Sequence, residues 1–244
     1  NNLSLDSGSA NISVTGAIAS VGTLTLTSAA SATLSGDVDV STLSVDNNVG
    51  NLTFTGNGSS ITNAFAPNNT GTLTLGTSGG TQTFNGGLNT SNTDGTVTIN
   101  GSLVTSNDAL TLGATTLASD VTLNAAGGAI STGAITGTST DDLIITSSGG
   151  STNTISLGAI GGSGKVHNLN VTAGTSITLT GNVTTSDASG NTVSLTAPSI
   201  DIGNVTIDTN NTNNDGNVSF IVNNLSNSGH TVDAGTATFQ IAPN

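Results

Sequence analysis

The chain has no cysteine, tryptophan, tyrosine or methionine, and only one residue that is Lys or Arg. Without cysteine there is no disulfide framework, no thiolate metal site and no cysteine nucleophile. One basic side chain, Lys165, cannot replace the counterions of a phosphate backbone or hold an anionic bilayer. Nucleic-acid binding and electrostatic membrane docking are thereby excluded. Every acidic residue is Asp, Glu is absent, and charged residues are 6% of the chain, against about 25% in ordinary domains. The helix-favouring residues are therefore nearly missing, and essentially no helix is expected. No run approaches roughly 18 apolar residues, so no insertion into a membrane as a helix is expected either. The net charge of −13 is spread thinly; its expected effect is solubility and resistance to lateral association.

What is present is a phrase that returns: a small polar residue, an aliphatic, Thr/Ser/Asn, an aliphatic. It reads Leu24-Thr25-Leu26, Leu73-Thr74-Leu75, Val97-Thr98-Ile99, Val121-Thr122-Leu123, Val193-Ser194-Leu195 and Val218-Ser219-Phe220. The clearest copies begin at Leu3, Leu24, Leu52, Leu73, Val97, Val121, Leu143, Leu169, Val193, Val218 and Phe239. Alternation at period two bounded by Gly, Asn and Asp is strand patterning, and a disordered chain has no reason to keep it. A repeat of roughly 20 to 30 residues, each too small to bury its own apolar face, predicts a stacked solenoid. The fold expected is all-β: a right-handed parallel β-helix of about 11 rungs, one domain over residues 1–244, about 50 Å long at the strand spacing. Handedness follows the bias of parallel connections.

Secondary phrases lie between the main ones: Ile12-Ser13-Val14, Leu34, Phe84, Leu110-Thr111-Leu112, Ile155-Ser156-Leu157, Ile177-Thr178-Leu179 and Val205-Thr206-Ile207. Each turn then holds two or three short strands, with corners at sites such as Gly36-Asp37, Asn47-Asn48, Asp94-Gly95 and Gly127-Gly128, where a left-handed backbone is tolerated. The five Phe, at 54, 65, 84, 220 and 239, are expected inside the column.

Three stretches disturb the rhythm: Ser59–Asn69, which contains Pro67; Gly161–His167; and Asp208–Gly216, which has no aliphatic. Solenoid corners accept insertions. These stretches are expected to protrude, with Ala64, Phe65, Pro67, Asn68, Lys165, His167, Asn211, Asn213 and Asp215 as candidate contact residues for a host or cell-surface receptor or a glycan.

No catalytic, cofactor or metal site is expected. Glycoside hydrolysis needs two placed carboxyl groups; Asp37 with Asp39 and Asp141 with Asp142 are the candidate pairs, read as solvated corners, and a polysaccharide-processing enzyme stays as an alternative. The nearest match to a calcium-binding glycine-rich repeat, Gly161–Val166, carries Val where Asp is required. His167 and His230 stand far apart without a partner motif and read as surface or loop residues. Thr-x-Thr pairs at Thr23–Thr27, Thr72–Thr74, Thr81–Thr83 and Thr96–Thr98 raise ice binding as a second alternative. The equivalent rungs elsewhere read Asn51-Leu52-Thr53, Asp142-Leu143-Ile144 and Asn168-Leu169-Asn170, whereas a flat ice-binding face needs the pair on nearly every rung.

The Gly/Asn/Thr/Ser composition and phrases such as Gly36–Val45, Gly190–Ala197 and Val232–Phe239 resemble filamentous-haemagglutinin-type exoproteins and autotransporter passengers. The resemblance implies a right-handed β-helix on the bacterial surface or secreted, serving adhesion, aggregation or filament formation. The repeat phrase already stands at Asn1–Asp6, so the chain reads as a mature piece or a fragment. Uncapped solenoid ends are sticky. Leu3 and Leu5 at one end and Phe239 and Ile241 at the other are expected to meet more of the same chain or a second copy stacked end to end.

Overall fold

The computed structural model describes residues 1–150, 153–226 and 229–244. It is a parallel β-solenoid of about 11 turns with no helix among the described residues. Each turn crosses three faces, and every strand pairs in parallel with its counterpart one turn on. On the first face Leu3 pairs with Leu24 and Leu24 with Leu43. Further along, Phe65 pairs with Leu88, and the file continues through Leu110, Ile130, Ile155, Ile177 and Ile200. On the second face the inward file runs Ile12, Ala32, Leu52, Leu73, Val97, Thr115, Ile135, Ile160, Val183, Ile207 and Val232. The third face carries Gln82, Leu103, Leu123, Ile145, Val171, Leu195, Phe220 and Ile241.

The three files form one aliphatic column, with members such as Leu24, Leu52, Leu123 and Ile177 fully buried. Each such side chain contributes roughly 1.5–3 kcal/mol of burial, and it does so only when a turn lies above and below. Stacking, not any one turn, therefore holds the fold.

The register corrects the simple periodic reading. The copies at Leu3 and Leu24 lie on the first face, those at Leu52, Leu73 and Val97 on the second, and those from Val121 to Phe239 on the third. Leu24 stacks on Leu43 and not on Leu52, while Val97 stacks on Thr115 and not on Val121. The phrase is shared by all three faces because all three solve the same problem, an inward aliphatic flanked by outward polar residues. Where the inward position holds Ala32 or Thr115, both buried, aliphatic matching slips to the next face.

Four of the five Phe are fully buried, and three of them meet: Phe65 and Phe84 stack at 5.6 Å, with Phe54 edge-on to both. Phe239 is the correction. It packs edge-on against Phe220 but is 44% exposed, and Ile241 beside it is 54% exposed, because they belong to the last turn described and nothing covers them. Leu3 and Leu5 at the other end are half-buried against the column.

Candidate contact ridge and threonine ladder

The corner between the second and third faces changes character along the rod. In Val97–Val104 and Thr115–Asn124 the chain turns it within one continuous strand. In the next four turns it throws out loops, at residues 137–142, 161–167, 185–191 and 209–216. The loops stack into a lateral ridge that is stitched from turn to turn. Ser139 N–H donates to Lys165 O at 2.8 Å, His167 N–H to Asp141 O at 2.8 Å, and Ser186 N–H to Val166 O at 2.8 Å. At the following seam a carboxylate replaces the backbone. Asp187 Oδ1 accepts the N–H of Asn213 at 3.0 Å and of Asn214 at 2.8 Å, and its Oδ2 accepts Asn213 Nδ2 at 2.6 Å. One turn on, Asp215 Oδ2 accepts both the N–H and the hydroxyl of Thr236 at 2.6 Å.

Two of the three expected contact segments are thus brought together. Lys165 Nζ donates to Asn211 Oδ1 at 3.0 Å, and Asn211 Nδ2 in turn donates to Ser186 O at 2.9 Å. His167 Nδ1 lies 2.9 Å from Asp142 Oδ1, which also accepts Asn168 Nδ2 at 2.8 Å. His230 lies far along the chain, half-buried. The 185–191 loop, which bridges the two segments, was not singled out by the sequence. Its signal was there: Asp187-Ala188-Ser189-Gly190 is turn composition, and it sits one repeat from each of its neighbours.

The first expected segment is not a protruding loop. Ser59, Ile61, Phe65, Pro67 and Asn69 are buried and alternate with exposed neighbours, among them Ala64 and Asn68. The segment runs along the column rather than out of it, and Asn69 Nδ2 satisfies the carbonyls of Gly50, Gly71 and Thr72 from the inside. Ala64 and Phe65 only line a shallow open depression of about 370 Å³ on the first face.

Of the carboxylate pairs, Asp37 and Asp39 accept the N–H groups of Gly58 and Ser60 one turn on. Asp141 is a second correction. It is buried rather than solvated, its Oδ2 accepting the N–H and hydroxyl of Thr138 at 2.8 Å. Its partner Asp142 faces outward to His167. Asp141 closes its own loop, while Asp37, Asp39 and Asp142 bridge to the following turn.

The hydrogen bonds donated by Asn213, its backbone N–H first, hold the Asp187 carboxyl below the ordinary carboxylate range. Thr236 does the same for Asp215, its hydroxyl first and then its N–H. Because both folded-state values are depressed, the support these groups give is complete above the ordinary carboxylate range. It is lost as pH falls through the depressed values. We expect carboxyl ¹³C shifts followed by NMR to place both midpoints below that range, with Asn213→Ala moving only Asp187 upward. Midpoints in the ordinary range would contradict the stitching.

The second surface of note is the outward side of the second face. Its register aligns Ser13, Thr33, Thr53, Thr74, Thr98, Thr116 and Thr136 in one unbroken file. The hydroxyls of Thr116 and Thr136 lie 3.2 Å apart. Of the rungs that interrupted the Thr-x-Thr pattern in sequence, Asp142–Ile144 and Asn168–Asn170 belong to the third face, whereas Asn51–Thr53 lies on the second, where it breaks the pair and leaves only the single file continuous. Gln82, between Thr81 and Thr83, points into the core. No helix among the described residues is long and apolar enough to cross a membrane.

No protein-family model matches the chain, and no match is found among curated proteins or solved structures.

Proposed function

We propose that this chain is the solenoid of a bacterial cell-surface or secreted protein that works by contact, as an adhesin, with the stacked-loop ridge as its binding surface. The observation that carries this reading is the ridge itself. Four successive loops of six to eight residues project at one corner, where the preceding two turns carry none and residues 55–59, 76–80 and 234–238 make shorter ones of five. Their outward chemistry is amide, hydroxyl and carboxylate, with Lys165 and His167 as the basic groups. Such a surface suits a polyhydroxylated ligand, a glycan, through many directional hydrogen bonds, and loops on a rigid scaffold are the usual place for recognition. The test is a glycan array read with the wild-type chain and with Asn213→Ala and Lys165→Ala. Retention of a glycan by the wild type and at least tenfold weaker binding by the variants is expected; equal binding by all three would remove the ridge from the account.

A second reading, a fibre component, rests on the exposed Phe239 and Ile241. A further turn, from the same chain or from a second copy, would cover them and continue the third-face file. Ile241→Asp is expected to abolish concentration-dependent association in sedimentation velocity if copies stack there. An unchanged association profile would contradict end-to-end stacking.

A further inference from the structure

We propose that the outward side of the second face is an ice-binding plane, a function separate from the ridge and carried by different turns. The argument begins with alignment. Six consecutive threonines, Thr33 to Thr136, occupy the same register position. The corresponding files on the other faces do not keep one residue type. On the first face the file reads Asn89, Thr111, Ser131, Ser156, Thr178, Asp201. On the third face it includes Ile144, Asn170 and Ser194. A chain merely rich in threonine would scatter it over all three.

The geometry then narrows the ligand. Parallel strands repeat at about 4.8 Å, so the six threonines present a hydroxyl and a methyl at that interval over about 24 Å. Threonine is stiff at χ1, which pre-orders the array and lowers the entropy lost on docking. The paired positions of the file carry no shift; the ladder that pairs Thr98 with Thr116 shifts just beyond Ile99, at the corner, and the other shifts fall at corners or on the other faces. The adjacent outward positions Asn11, Ser31, Asn51, Thr72 and Thr96 carry amides or hydroxyls, and the depression beside Ala114, Thr116, Ala134 and Thr136 is bordered by one carboxylate, Asp94. A mineral surface needs arrays of ionised groups, and the aligned positions of this file carry none. A regular, uncharged array of hydroxyls and methyls fits an ordered water lattice, whose repeat in ice is close to the strand spacing. The plane ends where the file meets Gly161 and, further on, Asp208 and Asp233, which is where the ridge takes over.

The test is thermal hysteresis and ice-crystal morphology with the purified chain. Faceted crystals and measurable hysteresis are expected from the wild type. Thr74→Lys and Thr98→Lys, outward substitutions that leave the column intact, are expected to cut hysteresis at least fivefold. Thr178→Lys on the first face is expected to keep it, with circular dichroism confirming strand content in all. Rounded, unshaped crystals from the folded wild type would overturn the proposal, as would equal loss in Thr178→Lys. Retention on crystalline cellulose that Thr74→Lys abolishes, without ice shaping, would assign the face to a different ligand and overturn it too.

Discussion

Phe84→Ala is expected to destabilise the solenoid by about 3–5 kcal/mol. Phe84 is fully buried, stacks on Phe65 at 5.6 Å and meets Phe54 edge-on at 6.3 Å. These rings come from successive turns, and each aromatic contact adds about 0.5–1.5 kcal/mol beyond burial. The column is narrow, with backbone on every side, so the vacated volume has little room to collapse. In a stacked array the damage is local before it is global. Amide exchange should therefore accelerate first between Val49 and Leu88, with protection around Leu195 retained. Uniform acceleration along the whole chain would mean that the turns are coupled more tightly than nearest-neighbour stacking allows. A loss below about 1 kcal/mol would mean the cluster is not packed as described.

Gly161→Ala should cost about 2–4 kcal/mol. Gly161 sits at φ +77°, a conformation L side chains rarely adopt, and an added Cβ would overlap the carbonyl oxygen of Thr184 one turn on. That oxygen belongs to backbone, so nothing flexible can yield. The residue also donates its N–H to Ile135 O at 2.8 Å, which ties it to the preceding turn at the base of the ridge. The variant is expected to loosen the Ile135, Ile160 and Val183 ladder and to weaken ridge binding with it, measured by denaturant unfolding beside amide exchange. Gly162→Ala is the control. A Cβ there meets nothing within 4 Å, and a change within about 0.5 kcal/mol is expected. Equal effects from both substitutions would contradict the close approach at Gly161.

Fold class, number of turns and corner positions were legible because two signals are strong: period-two aliphatics, and Gly/Asn/Asp clusters at regular intervals. The phase was not. Leu24 and Leu52 carry the same phrase on different faces, and Leu43-Ser44-Val45 carries it too. An inward Ala32 or Thr115 is tolerated where space is small or a carbonyl is near; Thr115 Oγ1 donates to Gly113 O at 3.0 Å. Once a polar residue can stand inside, hydrophobicity alone no longer assigns a copy to its face. The same effect hid Asn69, whose amide does inside the corner what strand pairing does elsewhere. The ridge was half legible. Lys165, His167, Asn211, Asn213 and Asp215 stand in stretches of broken rhythm, whereas Asp187 carries only a turn-like composition, and its role is seen in the N–H groups it collects. The threonine ladder was partly obscured by the phase error, since two rungs of the third face were compared with the second; the Asn51 rung is a true second-face interruption of the Thr-x-Thr pair.

Both proposed surfaces depend on the register of the second face, and a chain without cysteine allows it to be read directly. Paired strand positions lie about 4.8 Å apart, inside the Cα separation that a disulfide spans. Two double variants, Thr98→Cys with Thr116→Cys and Thr98→Cys with Thr122→Cys, should be oxidised at high dilution and mapped by mass spectrometry. The register predicts an intramolecular bridge in the first pair and none in the second, because Thr98 faces Thr116 while Thr122 faces Ser102 on the third face. A bridge in the second pair and not the first would show that the turns are counted wrongly, and both the ladder and the ridge would fall with that count.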